Sequence, residues 1–324
     1  MRGLIVLTLA TCVSAIVGLL AGATWFAPAT LLAAFSQHHS DAATILWQLR
    51  LPRIIVVAVA GGSLGVGGAL LQGLLRNPLV DPYLTGTSAG AACAIAIGVV
   101  LGIAAPALPA IGFLAGLGTA AVVALLARRG SGIDANRLIV AGVSVSALLS
   151  AVITVVLLHA SDMDSTQAIL SWLAGSPAGR GWPEIRAAVP YAAVGFVLAV
   201  AMSRPLDALR LGDQRARSLG VNVGVAQWFI LAATSLLAAA AVSLCGMLGF
   251  VGLIVPHIAR RAVGSGAFAL IPASALLGAS MSILADAIGR TIIAPSEVPL
   301  GVILAFFGVP AFLYLIARTH RSQA

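Results

Sequence analysis

Eight stretches of this chain contain no Asp, Glu or Arg: 3–40, 54–75, 82–127, 138–161, 187–203, 218–259, 262–285 and 298–317. A helix of about 20 apolar residues crosses a bilayer, so these runs read as membrane spans. Runs 82–127 and 218–259 are each long enough for two crossings, breaking near Pro106 and Pro109 and near Gly246 to Pro256. The count becomes about ten spans at this length per crossing. The second half of 218–259 is short and interrupted by Gly249, Gly252 and Pro256. It reads as a partial helix supported by protein rather than lipid. The expected fold is an all-α integral membrane protein, one transmembrane domain over residues 1–324. The start, MRGLIVLTLATCVSAIVGLLAGA, has the charged beginning and small-residue end of a signal peptide, but its apolar stretch is too long, so it reads as an uncleaved first span.

With 60% hydrophobic and 9% charged residues, a soluble domain of ordinary composition is excluded. All 18 basic residues are arginine. Without lysine the chain cannot form a P-loop or a Schiff-base site, so it is not its own nucleotide motor. The net charge of +8 does not call for nucleic acid, because the arginines lie between apolar runs where orientation and lipid headgroups account for them. Cys12, Cys93 and Cys245 fall within spans as small apolar residues. His38, His39, His159, His257 and His320 do not cluster with Cys, Asp or Glu at ligand spacing. No metal site, cofactor or catalytic residue is expected. His38 and His39 read as a solvated loop pair or a contact to a chelated metal, and His257 as a structural capping residue.

Small residues recur at every fourth position: Gly61, Gly65, Ala69, Gly73; Gly86, Gly90, Ala94, Gly98; Gly112, Gly116, Ala120, Ala124. Such faces let helix backbones approach closely. Placing the N-terminus inside puts thirteen arginines (2, 76, 128, 129, 137, 204, 210, 215, 217, 260, 261, 318, 321) on the cytoplasmic side and five (50, 53, 180, 186, 290) outside. This is the asymmetry of the positive-inside rule, and it predicts cytoplasmic termini.

The polar island 205–220, PLDALRLGDQRARSLG, then also lies in the cytoplasm. It reads as two short helical turns: Pro205 near the start of the first, Gly212 and Gly220 as terminators, and Asp213 opening the second. Turns this short need packing to persist. Leu206 with Leu209, and Ala216 with Leu219, would each offer an apolar knob ringed by Arg210, Arg215 and Arg217. The island is therefore either a handle for a partner or an ordinary loop.

The segment GALLQGLLRNPLVDPYLTGTSAGA carries prolines at 78 and 82, with Asp81 placed to cap the helix that Pro82 begins. Together with LRLPR (49–53), LGDQRARSLGV, GFVGLIVPHIARR (249–261), ALLGASMSILADAIGR (275–290) and EVPLGVILAFFGVPAFLYLI (297–316), it resembles the FecCD-type permease subunits of ABC importers for iron-siderophores, haem and cobalamin. The resemblance runs in order over nearly the whole chain. It implies ten transmembrane helices with short cytoplasmic coupling helices in the bacterial inner membrane. It also implies a homodimer around a central pathway, two ATP-binding cassette ATPase subunits below and an extracytoplasmic substrate-binding protein above.

By this resemblance the coupling residues are Leu206, Asp207, Leu209, Arg210, Gly212, Asp213, Arg215, Ala216, Leu219 and Gly220. Arg50, Arg53 and Arg290 are the arginines that would meet acidic residues of the binding protein, guanidiniums outward; lipid-headgroup anchoring is the other reading of Arg50 and Arg53, and the one favoured for Arg180 and Arg186. Ser146, Ser150 and Thr154 share one face of the fifth span and either line the pathway or bond their own backbone. Ala135 and Asn136 stand where relatives can carry small hydroxyl residues of an inner gate. Gln72 faces substrate or bridges helices. Asp286 pairs with Arg290 at i, i+4 or forms a buried proton site.

The leading reading is a transport subunit that performs no covalent chemistry and passes a bulky metal chelate, with ferric siderophore ranked ahead of cobalamin and haem. The alternative is an ion- or proton-coupled secondary transporter, which needs intramembrane relay residues that are scarce here. A channel or scaffold is a third option, and neither requires a twin-turn polar island.

Overall fold

Proline, glycine and capping side chains set the helix boundaries in this chain. The computed structural model describes residues 2–22, 24–36, 40–130, 132–160 and 162–321, with 315–321 by backbone alone. The paired histidines 38 and 39 lie outside the described residues.

Helix α1 (Arg2–Leu20) is followed by α2 (Pro28–Ser36), so the uncharged run 3–40 is divided between two helices. A short α3 (Asp41–Thr44), capped by Ser40, passes through a π-helical stretch (Ile45–Arg50) into α4 (Leu51–Leu75). Asp81 accepts from the Tyr83 N–H to start a 3-10 turn at Pro82–Thr85, and Gly86, at φ 79°, leads into α5 (Thr87–Val100). A break before Pro106 and Pro109 separates α5 from α6 (Leu108–Leu126), as the prolines predict. A two-stranded ribbon pairs Arg128–Arg129 with Gly132–Ile133. Asp134 then caps α7 (Ala135–Leu158), and Asp162 caps α8 (Met163–Ala174).

Helix α9 (Trp182–Ala201) leads directly into the polar island, which folds as α10 (Ser203–Arg210) and α11 (Asp213–Ser218). The glycines end these turns as expected: Gly212 has φ 103° and Gly220 φ 82°, conformations that only glycine enters without strain. Helix α12 (Val223–Cys245) stops at Gly246, and the 13-residue α13 (Val251–Val263) follows with Pro256 inside it. The chain closes with α14 (Ala267–Thr291) and α15 (Leu300–Arg321).

Among the described residues, seven helical segments are long and apolar enough to cross a membrane. Helices α5 and Leu300–Tyr314 are apolar but shorter, and α13 is the partial helix read from the sequence.

The central element is α4, packed against α14, α12, α13 and α9. Its glycine face makes this possible. A Cβ at Gly61 would lie 2.4 Å from the Gly278 carbonyl, one at Gly65 2.4 Å from the Ser274 carbonyl, and one at Gly68 2.0 Å from the Gly252 carbonyl. The second and third small-residue stripes pack α5 on α6: Gly90 faces Thr119, and Gly116 faces the Thr87 carbonyl.

Candidate functional site

Two polar regions sit at opposite ends of α4, separated by about 37 Å at the rise of an α-helix. The first is the α10–α11 island beside Arg76, the residue that ends α4 at φ 53°. Arg76 Nη2 donates to Asp213 Oδ1 at 2.7 Å, an exposed pair of the kind worth about 0–1 kcal/mol.

The apolar groups of the island are arranged differently from the expected knobs. Leu206, Leu209 and Ala216 are 0%, 1% and 0% exposed and belong to the core shared with α4, α12 and α14. Two apolar side chains of this stretch do project: Leu211 (55% exposed) and Leu219 (64%), beside exposed Arg215 and Arg217. The Leu206–Leu209 spacing identified a helical face correctly, but that face is the one seated on the bundle, and the Ala216–Leu219 pair is split, Ala216 buried and Leu219 exposed. Asp207, its side chain 44% exposed, reaches across to the start of α14. Both of its carboxylate oxygens accept from the Ala267 N–H at 3.0 Å, and Oδ1 accepts from Arg210 Nη1 at 3.0 Å.

Gln72 bridges helices. It is 3% exposed; its Nε2 donates to the Gly252 carbonyl at 3.0 Å and more weakly to those of Leu253 and Val80, while Oε1 accepts from Arg260 Nη2 at 2.8 Å. The reason is local. Residue 256 is proline and has no N–H to return to the carbonyl four residues back, so the Gln72 amide serves Gly252 in its place. Of the two readings of Gln72, the structure shows the helix-bridging arrangement, and Pro256 was the sequence signal for it.

Asn136, Ser150 and Thr154 lie on the exposed side of α7, and Ser146 is half-buried. The Thr154 hydroxyl donates to the Ser150 carbonyl at 3.0 Å, so that hydroxyl bonds its own helix. Few residues of α7 are buried; Leu138, Gly142 and Ile153 are the ones that are.

The second polar region, at the start of α4, is a cleft of ≈ 600 Å³ whose lining includes Arg50, Arg53, Arg180, Arg290, Glu184 and Glu297. Two of the three arginines expected to point outward are turned in. Arg50 (6% exposed) donates through Nη1 to the Leu19 and Leu20 carbonyls and through Nη2 to that of Thr24, with its guanidinium 3.7 Å from the Phe26 ring centre. Arg290 (6% exposed) donates to the carbonyls of Ala21 at 2.9 Å and Gly18 at 3.0 Å. Together they satisfy carbonyls that the end of α1 leaves without helical partners, and they oppose the negative end of its dipole.

Arg53 joins the network laterally, donating to both oxygens of Asp286 and to both of Glu297 at 2.8–3.2 Å. The Asp286–Arg290 pair read from spacing is present at 2.9 Å, so this carboxylate is held between two guanidiniums. Sequence reasoning missed Glu297 and Arg180 here. Arg180 stacks 4.4 Å over Trp172 and its Nε has no hydrogen-bond partner among the described residues. Burial lowers the affinity of this guanidinium for its proton, and the Glu184 carboxylate partly offsets that. Arg186 is exposed, consistent with anchoring in headgroups. No group of three or more His, Cys, Asp or Glu able to hold a metal occurs among the described residues.

Comparison with known proteins places this geometry. A solved structure, a metal-chelate type ABC transporter in an inward-facing conformation, matches with TM-score 0.86 and 28% identity over 98% of each chain. The hemin transport system permease protein HmuU of Yersinia pestis is 36% identical over 88% of this chain and 87% of its own length. The vitamin B12 import system permease protein BtuC of Vibrio cholerae is 37% identical over 94% and 90%. The family model described as the FecCD transport family matches residues 7–318, and the chain belongs to that family.

Proposed function

We propose that this chain is the membrane-spanning permease subunit of an ATP-binding cassette importer, carrying a bulky metal chelate and working with a separate ATPase and a substrate-binding protein. The observation that carries this reading is the family match over nearly the whole chain. Relatives are named for hemin, Fe(3+)-citrate and vitamin B12, so metal chelates are the substrate class, with a ferric siderophore ranked first.

In its finer form the reading has ten crossings (α1, α4, α5, α6, α7, α9, α12, α13, α14 and α15), cytoplasmic termini and a homodimer. The open face of α7 meets the second copy and the cargo, with Asn136, Ser146, Ser150 and Thr154 on that helix. The α10–α11 island contacts the ATPases, with Leu211, Leu219, Arg215 and Arg217 as its outward surface. Acidic side chains of the binding protein dock at the arginine cleft. There Arg53 is the accessible member of the predicted three, and Arg50 and Arg290 hold the wall on which it sits.

The secondary-transporter alternative lacks a relay. Asp286 is already paired with Arg53 and Arg290, and an ion-coupling carboxylate would have to be free to exchange its partner. The deciding experiment reconstitutes the permease with its cognate ATPase and binding protein. Uptake of ferric siderophore, hemin and cobalamin is then compared under ATP and under a proton gradient. ATP-dependent uptake is expected; gradient-driven uptake without the ATPase rejects the proposal.

A further inference from the structure

The island is tied to the bundle by more than apolar packing. Helix α10 is wedged between two long helices. On one side Gly73 of α4 admits Leu206 and Arg210, a Cβ there lying 2.9 Å from Leu206 Cδ1 and 3.0 Å from Arg210 Nε. On the other side Asp207 grips the first N–H of α14, that of Ala267, with both oxygens at 3.0 Å. Arg210 completes the joint: its Nη1 bonds Asp207 Oδ1 and the carbonyl of Ser265, just before α14 begins. A carboxylate at a helix N-terminus is held both by hydrogen bonding and by the positive end of the helix dipole.

Helix α14 continues from this joint to the cleft at the far end. Asp286, about 28 Å along the helix at the α-helical rise, binds Arg53 of α4 at 2.9 Å and Arg290 at 2.9 Å. Between the two ends α14 lies against the glycine face of α4, with Gly61 on Gly278 and Gly65 on Ser274. Backbones this close leave little room to slide independently. One continuous helix therefore has one end in the grip of the island and the other in the arginine cleft.

We propose that Asp207 is the positioning residue through which displacement of α10 is passed to α14, so that the island and the far-end arginine network move as one linked body. The inference rests on the importer reading, in which α10 and α11 receive the ATPase.

The test uses the complete importer in proteoliposomes and reads cargo moved per ATP hydrolysed, a ratio that a general loss of folded protein leaves unchanged. Asp207→Ala removes the grip. Ala267→Pro removes the N–H it holds and leaves Asp207 in place, at a helix position where proline is favoured. Asp207→Asn keeps a side-chain oxygen acceptor. The ratio is expected to fall about fivefold or more in the first two variants, as loss of a typical coupling free energy would give, and to stay near wild type in the third. A wild-type ratio in either of the first two, or uptake and hydrolysis falling in proportion, overturns the proposal. If the wild-type complex shows no ATP-driven uptake, the importer reading itself has failed and the role of Asp207 falls with it.

Discussion

Gln72 and Pro256 are 184 positions apart in number, yet one supplies the hydrogen bond that the other cannot donate. Gln72→Leu should leave the Gly252 carbonyl and the Arg260 guanidinium short of partners, at a cost of about 1–3 kcal/mol for a buried unsatisfied group. Thermal unfolding in detergent checks this. A lower melting temperature with an unchanged cargo preference fits a bridging amide, whereas a shifted preference at full stability fits a pathway role. The leucines of the island divide in the same way. Leu209→Ala excavates the core and should cost about 2–5 kcal/mol. Leu219→Ala removes an exposed side chain and should leave the melting temperature within experimental error while lowering ATP-driven uptake. Equal melting losses in both variants would contradict the burial seen here.

At the level of helices, α4 depends on the missing side chains of its glycines. Gly68→Ala would drive a methyl into the Gly252 carbonyl, 2.0 Å from the new carbon. The partner there is backbone and cannot swing away, so α4 and α13 must separate and lose packing on both faces. Gly118 on α6 is the control, because a Cβ there meets nothing within 4 Å. Gly118→Ala should be neutral or stabilising by up to about 1 kcal/mol. Comparing the fraction of each variant that elutes as monodisperse protein after solubilisation separates the two. A tolerated Gly68→Ala would mean that α13 is free to retreat. The four-residue stripes are legible in the amino-acid sequence because close helix contact needs small residues on one face, whichever helix lies opposite. The identity of the opposite helix is not legible there: α4 meets α14 and α13, which follow it by some 200 positions.

Across the molecule as a whole, charge is separated into an island at one end and a cleft at the other, with little ionisable chemistry between them. Arg53→Glu should place a third carboxylate beside Asp286 and Glu297. This should weaken association with an acidic binding protein more at low salt than at high salt, since exposed electrostatics are screened by ions. Titrating the reconstituted permease with its binding protein at two ionic strengths measures this, and a salt-independent effect would point instead to collapse of the α1 and α14 ends. The membrane class, the break points at Pro106, Pro109 and Gly246, the Asp81 cap, the terminating Gly212 and Gly220 and the Asp286–Arg290 pair were accessible from the chain itself. They follow from hydrocarbon thickness, from backbone geometry at proline and glycine, and from neighbours within one helical turn. Packing alone determined the direction of side chains with identical chemistry: Leu206 and Leu209 inward but Leu211 and Leu219 outward, and Arg50 and Arg290 folded onto the end of α1 while Arg53 bridges two carboxylates. For Arg50 and Arg290 the direction depends on which distant backbone carbonyls are left without a partner, and for the leucines on which apolar surface lies opposite; both are known only once helices far apart in the chain have been brought into contact.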